Sequence, residues 1–184
     1  LSEDFDFFDK AATVALIEGL VSRPINSLEE FIRWMKDQEE IFGALQEVAA
    51  IAEINFTCAT GSKECEDQKD YFEQELMPAI AHLGDALNRR YFESPFRPQL
   101  DRNFWDLHDK SIEVDIRLFR QENIPLDAEI AKLSGEYQKL VGAMAVEWEG
   151  ETKTFQQMAG YIDDPDPAVR ERAWRLVNER RHAD

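Results

Sequence analysis

The sequence predicts an all-α fold, a multi-helix bundle or array carrying one short β-hairpin near residues 145–154. Three observations carry that reading. Apolar residues recur at spacings of three and four along nearly the whole chain, which is the helical period. Side chains suited to helix N-caps stand at Ser27, Asp101, Asp127, Thr154 and Asp166, each just ahead of an apolar stripe. The period switches to strict alternation only around Val146-Glu147-Trp148-Glu149-Gly150, where glycine follows at a position suited to a tight hairpin turn.

Taken in order, a first helix is expected over Phe5–Val21, stopping before Pro24, whose ring cannot continue it. Ser27 and Glu30 have the spacing of a capping box and open a long helix with Leu28, Phe31, Met35, Phe42, Leu45, Val48 and Ala52 on one stripe, running to about Asn55. After Gly61 and Ser62, a stripe from Cys65 through Phe72, Leu76, Ile80, Leu83 and Leu87 ends near Tyr91. Pro78 lies inside it, where a kink is expected because the stripe resumes in phase. Pro95 and Pro98 mark a connector.

Asp101 should cap a helix whose stripe is Phe104, Leu107, Val114 and Leu118, with Asn123 and Pro125 ending it. Asp127 should cap the next, the cleanest stripe in the chain, carrying Ile130, Leu133, Tyr137, Leu140 and Met144. Beyond the hairpin, Thr154 and Gln157 form a second capping box for a short helix to about Tyr161. Asp166 and Pro167 then start a final helix, proline standing in the first turn where its missing N–H costs nothing. The layout divides into 1–144, a helical lobe, and 145–184, the hairpin with its helices.

The 184 residues hold 21 Lys+Arg against 38 Asp+Glu, a formal net charge of −17, with 43% hydrophobic residues. A core of useful size can form, so the chain is not an acidic disordered tail. Nucleic acid and membrane surfaces are excluded as partners, since both are bound by neutralising cations. No run approaches about 18 consecutive apolar residues, and the N-terminus has no basic-then-apolar leader pattern, so an unexported cytoplasmic protein is expected. The two cysteines, Cys58 and Cys65, are too few for a disulfide framework and read as reduced thiols. Charge is uneven: residues 1–80 carry 18 acids and 6 bases, 81–184 carry 20 and 15. The last helix is locally cationic through Arg170, Arg172, Arg175, Arg180 and Arg181, which fits docking on acidic surface or a solvated face.

No complete catalytic constellation is present. A helical zinc site needs two histidines one turn apart, yet His82, His108 and His182 are isolated from one another. Glu179 and His182 have the spacing used in di-iron bundles, but the second such pair is missing. There is no G-x-S-x-G, no P-loop and no G-x-G-x-x-G. Cys58 lacks a cationic or glycine-rich setting that would lower its pKa. Glu39/Glu40 and Asp163/Asp164 are adjacent carboxylates, which diverge on a helix and read as solvated. Trp34, Trp105, Trp148 and Trp174 read as core or interface. The residues therefore assign no catalytic, cofactor or metal-binding role within the chain.

The order of local segments adds to this. Ile54-Asn55-Phe56-Thr57-Cys58, Phe72 to Pro78 leading into Leu87-Asn88-Arg89, Phe119-Arg120-Gln121-Glu122-Asn123-Ile124-Pro125-Leu126, and Leu133 to Met144 followed by Val146-Glu147-Trp148-Glu149-Gly150-Glu151 occur in a collinear series. Arg170-Glu171-Arg172-Ala173-Trp174 with Glu179-Arg180-Arg181 closes it. The series resembles the N-terminal region of oligoendopeptidase F-like zinc metallopeptidases, relatives of thimet oligopeptidase. It departs at Cys58-Ala59-Thr60-Gly61-Ser62, where the family has an acidic residue and consecutive threonines, a difference that bears on how the helix after Gly61 is capped.

The resemblance implies a helical lobe walling one side of a channel in which short peptides are cut. The H-E-x-x-H zinc site and a downstream glutamate ligand would lie in a catalytic lobe absent from this chain. It also implies that the chain taken by itself is inactive, holds no metal, and exposes an interlobe face prone to self-association. The alternative is a free-standing helical interaction module, dimeric through the hairpin edge or the arginine-rich helix.

Overall fold

A computed structural model describes residues 1, 2 and 4–183. The fold is all-α with one short antiparallel hairpin, and it divides into two compact units, Leu1–Leu133 and Ser134–Asp184. In the first unit, α1 spans Lys10–Ser22, α2 Leu28–Cys58, α3 Lys63–Asp70, α4 Met77–Glu93 and α5 Arg102–Leu118. A π-helical turn, Tyr71–Leu76, joins α3 to α4, and short 3₁₀ turns occupy Arg97–Gln99 and Gln121–Asn123. Helix α6, Ile124–Gly142, runs from the first unit into the second. The second unit continues with β1 (Ala145–Trp148), β2 (Glu151–Thr154), α7 (Phe155–Ile162) and α8 (Pro167–His182).

Helix α1 starts later than its apolar spacing predicts. Asp9 accepts a hydrogen bond from the Ala12 backbone N–H, and Asp6 accepts one from Phe8, so the two aspartates hold residues 6–9 in turns. Phe7 is buried from that turn, and the Tyr71 hydroxyl donates to its carbonyl at 2.9 Å. The cap of α2 is half a capping box. Ser27 accepts from Glu30 N–H, but the Glu30 carboxylate reaches one residue further back, to the backbone and side-chain N–H groups of Asn26.

Helix α2 is long and apolar enough to cross a membrane by length and composition. Here it is the central helix of the first unit, burying Phe31, Trp34, Met35, Ile41, Leu45, Ala52 and Phe56. All of these but Phe56 pack with Ile17 and Leu20 of α1 and with Phe72, Leu76, Ile80, Leu87 and Tyr91. Phe31 lies stacked between Trp34 and Tyr91, at centroid distances of 5.8 and 5.6 Å.

Ser62 caps α3 through Cys65 N–H. Pro78 leaves a helical run that continues without a break from Lys63 to Glu93. Its ring would meet the carbonyl four residues back, and the turn immediately before it is widened to π register, with Met77 N–H bonded to the Phe72 carbonyl. The α6 boundary is a correction: the helix begins at Ile124, so Pro125 sits in its first turn and Asp127 inside it rather than at its cap.

The hairpin is as the alternation predicts. Trp148 pairs with Glu151 across a two-residue loop in which Glu149 and Gly150 have φ of 54° and 86°, the doubly left-handed turn that matches strand twist. Thr154 and Gln157 form a complete capping box, and Asp166 caps α8. Val146, Trp148, Met158, Ala173 and Val177 make the core of this unit.

Candidate functional site

Among the hollows lined by described residues of the first unit, the one richest in aromatic side chains is a cleft of about 360 Å³ between α2 and α5. Ile32, Met35 and Phe42 form one wall, Phe104, Trp105, His108 and Ile112 the other, and Tyr91 the floor, with Lys36 and Glu39 at the rim. His108 places its ring edge-on to Tyr91 and Trp105, at 4.9 and 5.5 Å. Beneath it, the Tyr91 hydroxyl donates to Asp109 Oδ1 at 2.6 Å, and Asp109 Oδ2 faces Arg102 at 3.4 Å and Arg97 at 3.6 Å. Burial, with the Asp109 carboxylate beside it, pushes the Tyr91 hydroxyl well above the ordinary tyrosine value. Tyr91 is therefore a neutral hydrogen-bond donor and not a base. The arrangement can hold an apolar or aromatic group.

The residues weighed on sequence grounds are scattered. His82 is exposed on α4, His108 lines the cleft, and His182 lies exposed at the end of α8. Among the described residues no group of three or more His, Cys, Asp or Glu is placed to hold a metal ion. Cys58 is an exposed free thiol and Cys65 a half-buried one. Trp34 is fully buried, its Nε1–H donating to the Leu20 carbonyl at 2.9 Å, whereas Trp148 is the centre of the second core and Trp174 is exposed.

The arginines of α8 are used within their own unit. Arg170 donates to the carbonyls of Asp164 and Pro165, Arg172 lies 4.6 Å over the Trp148 ring, and Arg181 lies over Phe155. Sequence reasoning missed the cluster of Tyr91, Asp109, Arg97 and Arg102. Its only trace was an i, i+3/i+4 grouping of Phe104, Trp105 and His108, which reads equally as core.

Two apolar stripes face the other way from their expectation. On α5 the inward residues are Trp105, Ile112 and Ile116, while Phe104 and Leu107 are 74% and 80% exposed and Val114 and Leu118 are exposed with them. On α6 the stripe residues Ile130, Leu133, Tyr137 and Leu140 are all exposed, and Met144, expected on the same helix, is buried just beyond its end at Gly142. Each helix has two apolar faces, and periodicity does not say which one is turned inward.

The family model described as the Peptidase M3 N-terminal domain matches residues 5–119. The chain belongs to that family. The fold of this M3 N-terminal domain also matches an oligoendopeptidase F solved at 3.1 Å, with TM-score 0.84 and 22% identity over 100% of this chain and 32% of that one. It matches PZ peptidase A with an inhibitor at TM-score 0.80 and 22% identity, over 100% of this chain and 33% of that one. An oligoendopeptidase F from Bacillus anthracis matches at TM-score 0.82 and 16% identity, over 98% and 33%. At these identities the likeness is one of fold. The chain thus spans about one third of the length of the solved chains it resembles. No curated protein matches it by sequence.

Proposed function

We propose that this M3 N-terminal domain is the helical lobe that walls one side of the substrate channel in an oligopeptide-cleaving zinc metalloendopeptidase of the cytoplasm. The observation that carries the reading is the whole-chain fold match to one third of oligoendopeptidase F chains, joined to a family match over residues 5–119. Zinc and the groups that activate water on it would come from the rest of such a chain, because His82, His108 and His182 sit singly on three different helices.

The role left to this lobe is steric and passive. A rigid helical wall, cored by Phe31, Trp34 and Tyr91, narrows access so that short extended peptides enter and folded proteins do not. The complete gene product tests this directly. It should cleave a quenched fluorescent peptide of about ten residues and leave the same sequence uncut when it is embedded in a folded domain. Equal cleavage of both would remove the wall from the account.

A further inference from the structure

Within Leu1–Leu133, α6 is packed with its smaller side chains inward. Ile124, Ala128 and Ala131 are half-buried, and together with Asp127 they line a hollow against Met77, Pro78 and Ala81 at the start of α4. Leu126, Ile130 and Leu133 point away and are 55%, 62% and 56% exposed. On α5, Leu107 and Leu118 are likewise bare. Burying alanine while leaving leucine and isoleucine in water is the wrong order of transfer free energies for a helix whose outer face stays wet. On α6 the bare positions stand four and three residues apart, which makes a seam for a further helix and not a scatter of single exposed residues.

We infer that this face of α5 and the first half of α6 is the seat of the remaining two thirds of a longer peptidase chain, an inference that rests on the lobe reading above. The family is by description an N-terminal domain, and the solved chains of the same fold are about three times as long, so the covering surface lies in the same polypeptide. Residues 101–133 carry 8 acids and 5 bases, so the surface that covers them is apolar at its centre and basic at its rim.

Maleimide labelling of the complete gene product tests this in a Cys58→Ser, Cys65→Ala background, read by mass spectrometry of the peptides spanning α6. Ile130→Cys and Leu133→Cys probe the seam, and Glu129→Cys and Lys132→Cys are neighbours on the polar side of the same helix. In a monomeric protein the seam thiols should react at least about tenfold more slowly than their neighbours, and at the same rate once unfolded in urea. Equal native rates overturn the inference. So does protection that disappears on dilution as a dimer separates, which would assign the seam to a second copy, and so does a complete gene product no longer than these 184 residues. Zinc content and peptide cleavage are measured on the same background. A protected seam without zinc or cleavage would keep this interface and remove the peptidase reading, and the converse result would do the reverse.

Discussion

Arg90 ties the end of α1 to α4, and Arg90→Met gives the sharpest test of how the first unit is held. The guanidinium donates to the carbonyls of Leu20, Val21 and Arg23, the last turn and cap of α1, and lies 5.6 Å over the Trp34 ring. Those carbonyls have no partner inside their own helix. Leu20 keeps a second donor in Trp34 Nε1–H, so the substitution strands two acceptors, Val21 and Arg23. Hydrogen bonds from a charged donor contribute about 1.5–3 kcal/mol each. Water reaches these half-buried groups, and methionine keeps the packing of the stem while relieving the desolvation that lowers the Arg90 pKa.

A net loss of about 2 kcal/mol follows, equivalent to about 4–8 °C in Tm for a chain of this length. Chemical unfolding followed by circular dichroism should show it, with Arg90→Lys intermediate because an ammonium cannot fork across several carbonyls. Arg33→Met removes only an exposed pair with Glu29 and should stay within about 0.5 kcal/mol. If Arg90→Met is as small as Arg33→Met, the clamp contributes nothing and the reasoning is wrong.

The folded chain retains the Tyr91 proton where an unfolded one loses it, so stability is full below the ordinary tyrosine pKa of 10.0 and falls as pH rises above it. Tyr91→Phe should cost about 1 kcal/mol at neutral pH and flatten that alkaline slope without abolishing it, since burial raises Tyr71 as well; a slope unchanged in pH-dependent urea unfolding would contradict this. Gly150→Ala meets no steric neighbour but forces a Cβ onto φ 86°, and should destabilise the second unit by about 1 kcal/mol in thermal unfolding, whereas an unaffected Tm would mean the turn relaxes. Met158 is fully buried in the second core, so Met158→Ala should cost about 2–5 kcal/mol by urea titration, and a loss below about 1 kcal/mol would mean that the core collapses around the cavity.

What was legible in the sequence follows from how local each signal is. Asp101, Thr154 and Asp166 bond backbone groups two or three residues away, so their caps could be read in place, and the Glu149-Gly150 turn likewise. Asp9 was missed as a cap because Phe5, Phe7 and Phe8 continue an apolar pattern that the chain uses in a turn. The inward face of α5 depended on partners elsewhere in the chain, such as Tyr91 of α4, which no window of α5 contains. Lys69 is 4% exposed, over the Phe56 ring and paired with Glu73, although Lys63–Asp70 is among the most polar stretches of the chain. The cleft next to His108 was unreadable for the same reason: α2, α4 and α5 each supply part of it. The family resemblance was readable because it rests on the order of short segments and needs no contact between them.

The claim on which the rest depends is that the reactive metal is held outside these residues. Zinc stoichiometry by atomic absorption, measured on the 184-residue chain and on the complete gene product after the same purification, tests it most directly. The account predicts no stoichiometric zinc in the former and about one ion per molecule in the latter, with peptide cleavage following the metal. A full equivalent of zinc on the 184-residue chain, or peptide hydrolysis by it, would contradict the account.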